Sequence, residues 1–143
     1  MDRKAQIAQR FISLLPYSRA LKMHVDEVGN GHAVISMPYD EALIGDPETR
    51  VIHGGAVSAL MDTCGGASVM AYSEAITTTA TLDLRIDYMR AAAPDQRITA
   101  RAECFHVTRT VAFVRATAFD EDGDRPVATA AGAFTIVWSD GER

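Results

Sequence analysis

Val51-Ile52-His53-Gly54-Gly55-Ala56-Val57-Ser58-Ala59-Leu60-Met61-Asp62 decides how the rest of the chain is read. The two glycines after His53 leave backbone N–H groups open at the start of a helix, where unpartnered donors and the helix dipole favour an oxyanion. The segment continues, mostly as Ala, Val, Leu and Met, through Ala71. A carboxylate inside such a run costs free energy unless it does chemistry or finds partners. Asp62, nine positions after His53, is therefore the leading candidate for a catalytic group.

Outward from this helix, placed at about Gly54 to Tyr72, the pattern changes period. In Thr81 to Met89, Leu82, Leu84, Ile86 and Tyr88 alternate with Thr81, Asp83, Arg85 and Asp87, which predicts a strand with one buried face. Three further strands are expected over Arg97 to Val107, Thr110 to Phe119 and Pro126 to Trp138, joined by Thr108-Arg109 and by the acidic Asp120 to Asp124, as an antiparallel meander. Upstream, Met23 to Val28 and His32 to Met37 flank Gly29-Asn30-Gly31 and form a hairpin; Tyr39 to Arg50 is a loop. Ala5, Ile7, Ala8, Phe11, Ile12 and Leu15 have helical spacing, giving a short helix over residues 2–15 that stops at Pro16. One long apolar helix with about six strands requires the sheet to curl around the helix. The class is α+β, and one domain spans residues 1–143 with its core at 17–138.

Composition narrows the partners. The chain has 143 residues, 48% hydrophobic, with a net charge of -5, which opposes the basic face that nucleic-acid binding needs. No stretch approaches the roughly eighteen apolar residues of a membrane span, and the N-terminus lacks the apolar centre of a secretion signal, so a cytoplasmic protein is expected. Cys64 and Cys104 sit in apolar contexts, as reduced core residues.

Leu43 to Thr49 before His53-Gly54-Gly55, Asp62 after it, and Thr81-Leu82-Asp83-Leu84-Arg85-Ile86-Asp87-Tyr88-Met89-Arg90 downstream together resemble the hotdog-fold acyl-CoA thioesterases of the phenylacetic-acid-degradation (PaaI) type. The resemblance runs from about Tyr17 to Trp138. It implies a sheet wrapped around one helix, a homodimer and commonly a dimer of dimers, and hydrolysis of acyl-CoA thioesters without metal or organic cofactor. Geometry supplies a separate reason for two chains. Gly54 and Asp62 are eight residues apart, about 12 Å along one helix at 1.5 Å per residue, too far to act on one carbonyl. Two such helices antiparallel about a twofold axis would bring the N-terminus of one to the middle of the other.

In the chemistry this implies, the Gly54 N–H, with Gly55, polarises the thioester carbonyl. Asp62 of the partner chain is general base or nucleophile. Thr81 stands where the family carries a small hydroxyl residue, and His53 fixes the turn or bonds near the thioester. Coenzyme A calls for cations at the site mouth: Arg90 after the strand and Arg109 at the Thr108-Arg109-Thr110 tip are the candidates. Asp83 and Tyr88 match positions that line the CoA channel. Asp46 departs from the pattern, since relatives commonly carry Asn in this Gly-Asn-Pro loop; an ionised Asp46 accepts hydrogen bonds but cannot donate one.

Other constellations fit less well. Ser58 with His53 and Asp62 lacks a Gly-x-Ser-x-Gly elbow. His24, His32 and His106 lie in separate strands without metal-ligand spacing, and Asp120 to Asp124 lacks the remainder of a calcium loop, reading instead as a solvated hairpin tip. Two alternatives to an acyl-CoA hydrolase stay open: a non-catalytic acyl-CoA or fatty-acid binding dimer, and a hotdog hydratase, whose paired Asp and His are not visible. The acyl group is expected to be medium-chain or aromatic.

Overall fold

The computed structural model describes residues 3–139. Along the chain come α1 (Arg3–Leu14), α2 (Pro16–Ala20), β1 (His24–Gly29), β2 (His32–Met37), α3 (Gly54–Met70), β3 (Ile76–Tyr88), β4 (Ile98–Val107), β5 (Val111–Phe119) and β6 (Ala128–Trp138). The strands make one antiparallel sheet in the order β1-β2-β4-β5-β6-β3. It wraps α3, as expected.

α3 is apolar on nearly every side, and such a helix is stable only when surrounded. Leu60, Met61, Cys64 and Val69 are fully buried on it. The sheet comes close because its inward residues are small: Ala100 and Ala102 on β4, and Ala112, Ala116 and Ala118 on β5. On the helix side Gly65 meets Phe134 of β6, and a Cβ there would lie 2.9 Å from the ring. The Cys64 thiol donates to the carbonyls of Ala33 and Ala100 (3.3 and 3.4 Å), and burial pushes its pKa up to about 12, so both free cysteines are core residues as expected. The β1–β2 turn uses Asn30 and Gly31 at positive φ (54° and 78°).

The short N-terminal helix ends before Pro16, as expected; Pro16 then begins a further short helix, α2, since proline fits the first helical turn, and Asp2 lies outside the described residues. Three expectations need correction. β3 begins at Ile76, five residues before the expected start, through the β-branched run Thr77 to Thr79. It also does not bury one regular face. A register shift between Thr81 and Asp83 breaks the alternation at Leu82, leaving Leu82 and Tyr88 exposed while Leu84 and Ile86 are half-buried. Finally, Asp120 is not at a solvated tip: it is buried and holds Arg90.

Candidate active site

Asp62 sits half-buried in the third turn of α3, facing β3. Thr81 Oγ1 donates to Asp62 Oδ1 at 2.6 Å. This answers how a carboxylate is accommodated in an apolar helix: it looks into a groove of about 870 Å³ between α1, α3 and the first half of β3, with a hydroxyl as its partner.

The beginning of α3 forms a second cluster. His53 is the N-cap, and its Nδ1 accepts from the Gly55 N–H at 2.8 Å. With Nδ1 accepting, the proton of the neutral ring lies on Nε2. The Gly55 N–H is thus engaged by His53, a correction to its expected place beside Gly54 as an oxyanion donor. The Gly54 N–H finds no acceptor among the described residues, being the first of the helix. Tyr88 Oη donates to the Gly54 carbonyl at 2.8 Å, and the same ring lies where a Cβ on Gly54 would contact it at 3.4 Å. Tyr88, Gly54 and Val57 share a smaller cavity of about 300 Å³ at this end of the helix. Each chain therefore carries two separate clusters, one at each end of the 12 Å spacing.

The other candidates fall elsewhere. Asp46 accepts from the Glu48 N–H (3.0 Å) and Thr49 Oγ1 (2.9 Å), and these bonds hold its carboxyl below the usual carboxylate range. It is an Asx-type anchor of its own loop. Asp83 is exposed on β3 opposite Ala133. Arg109 is exposed at the β4–β5 tip, where its carbonyl accepts from Trp138 Nε1 at 2.8 Å. Arg90 does not wait for a phosphate. Its guanidinium makes two bonds to Asp120 (2.6 and 2.7 Å) and one to the Arg125 carbonyl (2.8 Å). That corrects its placement at a CoA mouth: Arg90 ties the β5–β6 loop to the end of β3.

Two features escaped the sequence reading. Asp120 was hidden in an acidic cluster, and only its position just after β5 separates it from the solvated acids that follow. The second is the division of the N-terminal segment: Ala5 and Ile12 are buried in the core, while the exposed Ile7 and Phe11 of α1 and Leu15 just past it line the groove that holds Asp62, whose lining Ile12 also reaches. Among the described residues no group of three or more His, Cys, Asp or Glu could hold a metal ion. No helix among them is long and apolar enough to cross a membrane.

The thioesterase superfamily profile matches residues 50–127, from the turn before α3 to the start of β6. A Pseudomonas aeruginosa protein of known structure is 39% identical, with 92% of this chain and 98% of that one covered and a TM-score of 0.82. The Escherichia coli PaaI protein of the phenylacetic acid degradation operon shares the fold at 19% identity (TM-score 0.82, 95% of each chain). A Halobacterium salinarum protein whose name assigns it provisionally to the esterases is 29% identical over 97 residues, 66% of this chain. The chain spans just under two thirds (64%) of that relative's length. The chain belongs to the thioesterase superfamily, and its architecture is the hotdog fold of the PaaI type.

Proposed function

We propose that the chain hydrolyses acyl-CoA thioesters to free acid and coenzyme A, as a homodimer with two composite sites. The observation that carries this reading is the Thr81–Asp62 bond at the open groove, together with an unengaged Gly54 N–H about 12 Å away on the same helix. Neither cluster alone can both polarise a carbonyl and attack it.

β3 is the obvious seam between subunits. It is an edge strand whose backbone groups on one side are unpaired in the sheet, and Leu82, Tyr88 and, just past its end, Met89 are 58%, 52% and 60% exposed. A second copy added along this edge, related by a twofold axis, would set the two α3 helices antiparallel. Gly54 of one chain would then approach Asp62 of the other.

In that composite site the carbonyl oxygen receives the Gly54 N–H, where the helix dipole favours the developing charge. Tyr88, bonded to the Gly54 carbonyl, fixes the first turn of the helix beside the His53–Gly54 peptide unit that carries this N–H. Thr81 takes up Oδ1 of Asp62 and leaves Oδ2 to accept a proton from water, which adds to the thioester carbon; the C–S bond then breaks and coenzyme A leaves as thiolate. In the alternative route Asp62 adds to the thioester carbon, the C–S bond breaks to release coenzyme A as thiolate, and water hydrolyses the resulting mixed anhydride to the free acid and the Asp62 carboxylate. Arg109, at an exposed tip beside the end of β6, is a cation for the nucleotide end, with Asp83 midway along β3 and Tyr88 at the far end of that strand lining the channel.

Turnover of acyl-CoAs with a thiol-detecting reagent tests the reading. Enzyme-dependent release of free thiol, abolished in Asp62→Asn, is expected. Tight binding of acyl-CoA without thiol release would favour a carrier instead.

A further inference from the structure

We infer that α1 forms the far wall of the acyl-binding groove and that Phe11 on it limits the length of the acyl group accepted. This rests on the hydrolase reading above for the position of the thioester, and it adds the element that determines substrate choice. Ile7 and Phe11, four residues apart on α1, make one stripe that Leu15, just past the helix end, continues. Ile7 and Phe11 are 57% and 62% exposed, although Ala5 and Ile12 of the same helix are buried. The stripe faces the same groove as Asp62 and Thr81.

A helix of 12 residues has little stability alone, so something must hold α1 with its larger apolar side chains uncovered. Gln9 does part of this. Its Oε1 accepts from the Val25 N–H at 2.6 Å and its Nε2 donates to the Met23 carbonyl at 3.4 Å, so the side chain pairs with the free edge of the sheet as a strand would. α1 is thus placed by a polar clip and by its small face, and the stripe is left for an apolar occupant.

The occupant we assign is the acyl chain, because the groove is continuous with the carboxylate and its walls bring Ile7, Phe11 and Leu15 together with Ala67 and Met70 of α3. Gly66, one turn beyond Asp62, keeps its floor low: a Cβ there would meet nothing closer than 3.9 Å, so a methyl fits the fold and protrudes into the groove.

The test is kcat/KM over straight-chain acyl-CoAs from butanoyl to hexadecanoyl for the wild type, Phe11→Ala, Phe11→Trp and Gly66→Ala, with the oligomeric state of each measured. Phe11→Ala should raise the long-to-short ratio by about tenfold or more, and Phe11→Trp and Gly66→Ala should lower it, since a methylene or two of pocket depth discriminates on that scale. Parallel profiles in folded variants would overturn the assignment. So would dissociation of Phe11→Ala into smaller oligomers, which would make the stripe a subunit contact. If no thioester is cleaved but binding of a non-hydrolysable acyl-CoA shows the same Phe11-dependent length preference, the groove assignment stands and the hydrolase reading fails.

Discussion

Thr81 Oγ1 and Asp62 Oδ1 are 2.6 Å apart, joining the edge strand β3 to the buried helix α3. A hydroxyl has one proton to give, so this bond fixes the rotation of the carboxylate and leaves the second oxygen available. Asp62→Asn preserves the acceptor and hence the packing, but an amide is neither base nor nucleophile. Its kcat should fall at least about a hundredfold with the fold intact. Thr81→Val removes only the orienting bond and should cost about tenfold in kcat with little change in KM. Near-wild-type turnover of folded Asp62→Asn would remove this residue from the mechanism.

If the site draws on two chains, inactive variants should complement each other. Gly54→Pro removes the one N–H at issue, and His53 already has the extended conformation (φ -61°, ψ 135°) that a residue before proline adopts. Mixing it with Asp62→Asn under conditions of subunit exchange should restore activity, because each heterodimer has one intact composite site. Heterodimers that form but stay inactive would mean that both residues act within one chain.

The features that the sequence made legible are those with a strong local cause. His53-Gly54-Gly55 and the apolar run could only be the start of a buried helix, and Gly29-Asn30-Gly31 could only be a turn. The partners of the site were less visible, since they depend on which distant elements meet. Nothing near Arg90 in sequence predicts Asp120, 30 residues on. Nor does the spacing of β3 reveal the shift at Leu82 that exposes half of its apolar residues. His53 illustrates a third case: a residue read as fixing the turn or bonding near the thioester is the helix cap, and it uses Nδ1, the nitrogen that the sequence could not orient.

Thr79 Oγ1, on the wall of the acyl groove, is buried with no hydrogen-bond partner among the described residues. An unsatisfied buried hydroxyl is a cost that an isosteric methyl removes. Thr79→Val should therefore raise stability to urea by about 1 kcal/mol. A loss of stability of that size would show that the hydroxyl is satisfied in the assembled protein.

The Asp46 carboxylate is held by Glu48 and Thr49 within its own loop, and its pKa is lowered. A protonated Asp46 donating toward the thioester is therefore not the form present at neutral pH. Asp46→Asn keeps an acceptor for the Glu48 N–H, and the pH profile of kcat/KM should superimpose on that of the wild type from about pH 6 to 9. A profile extended to higher pH in the variant would show instead that Asp46 shares its titration with Asp62 of the partner chain.

The Arg90–Asp120 pair makes the strongest prediction about stability. The Asp120 side chain is 1% exposed and Arg90 22%, and Asp120 also accepts from the backbone N–H groups of Ala93 and Asp122 (both 3.0 Å). Removing one partner of such a pair leaves a poorly solvated charge, so Asp120→Asn should cost on the order of 3 kcal/mol. The pH dependence has a definite sign. Its bond to Arg90, then the two backbone bonds, hold the Asp120 carboxyl well below its unfolded value, against burial, which raises it. Its contribution is complete above the unfolded carboxylate pKa, about 4, and is withdrawn as pH falls through the lower folded value. Thermal unfolding of the wild type should therefore weaken steeply below about pH 4, and Asp120→Asn should start less stable and decline less over the same range. Equal acid slopes for the two proteins would mean that the pair adds no pH-dependent stability.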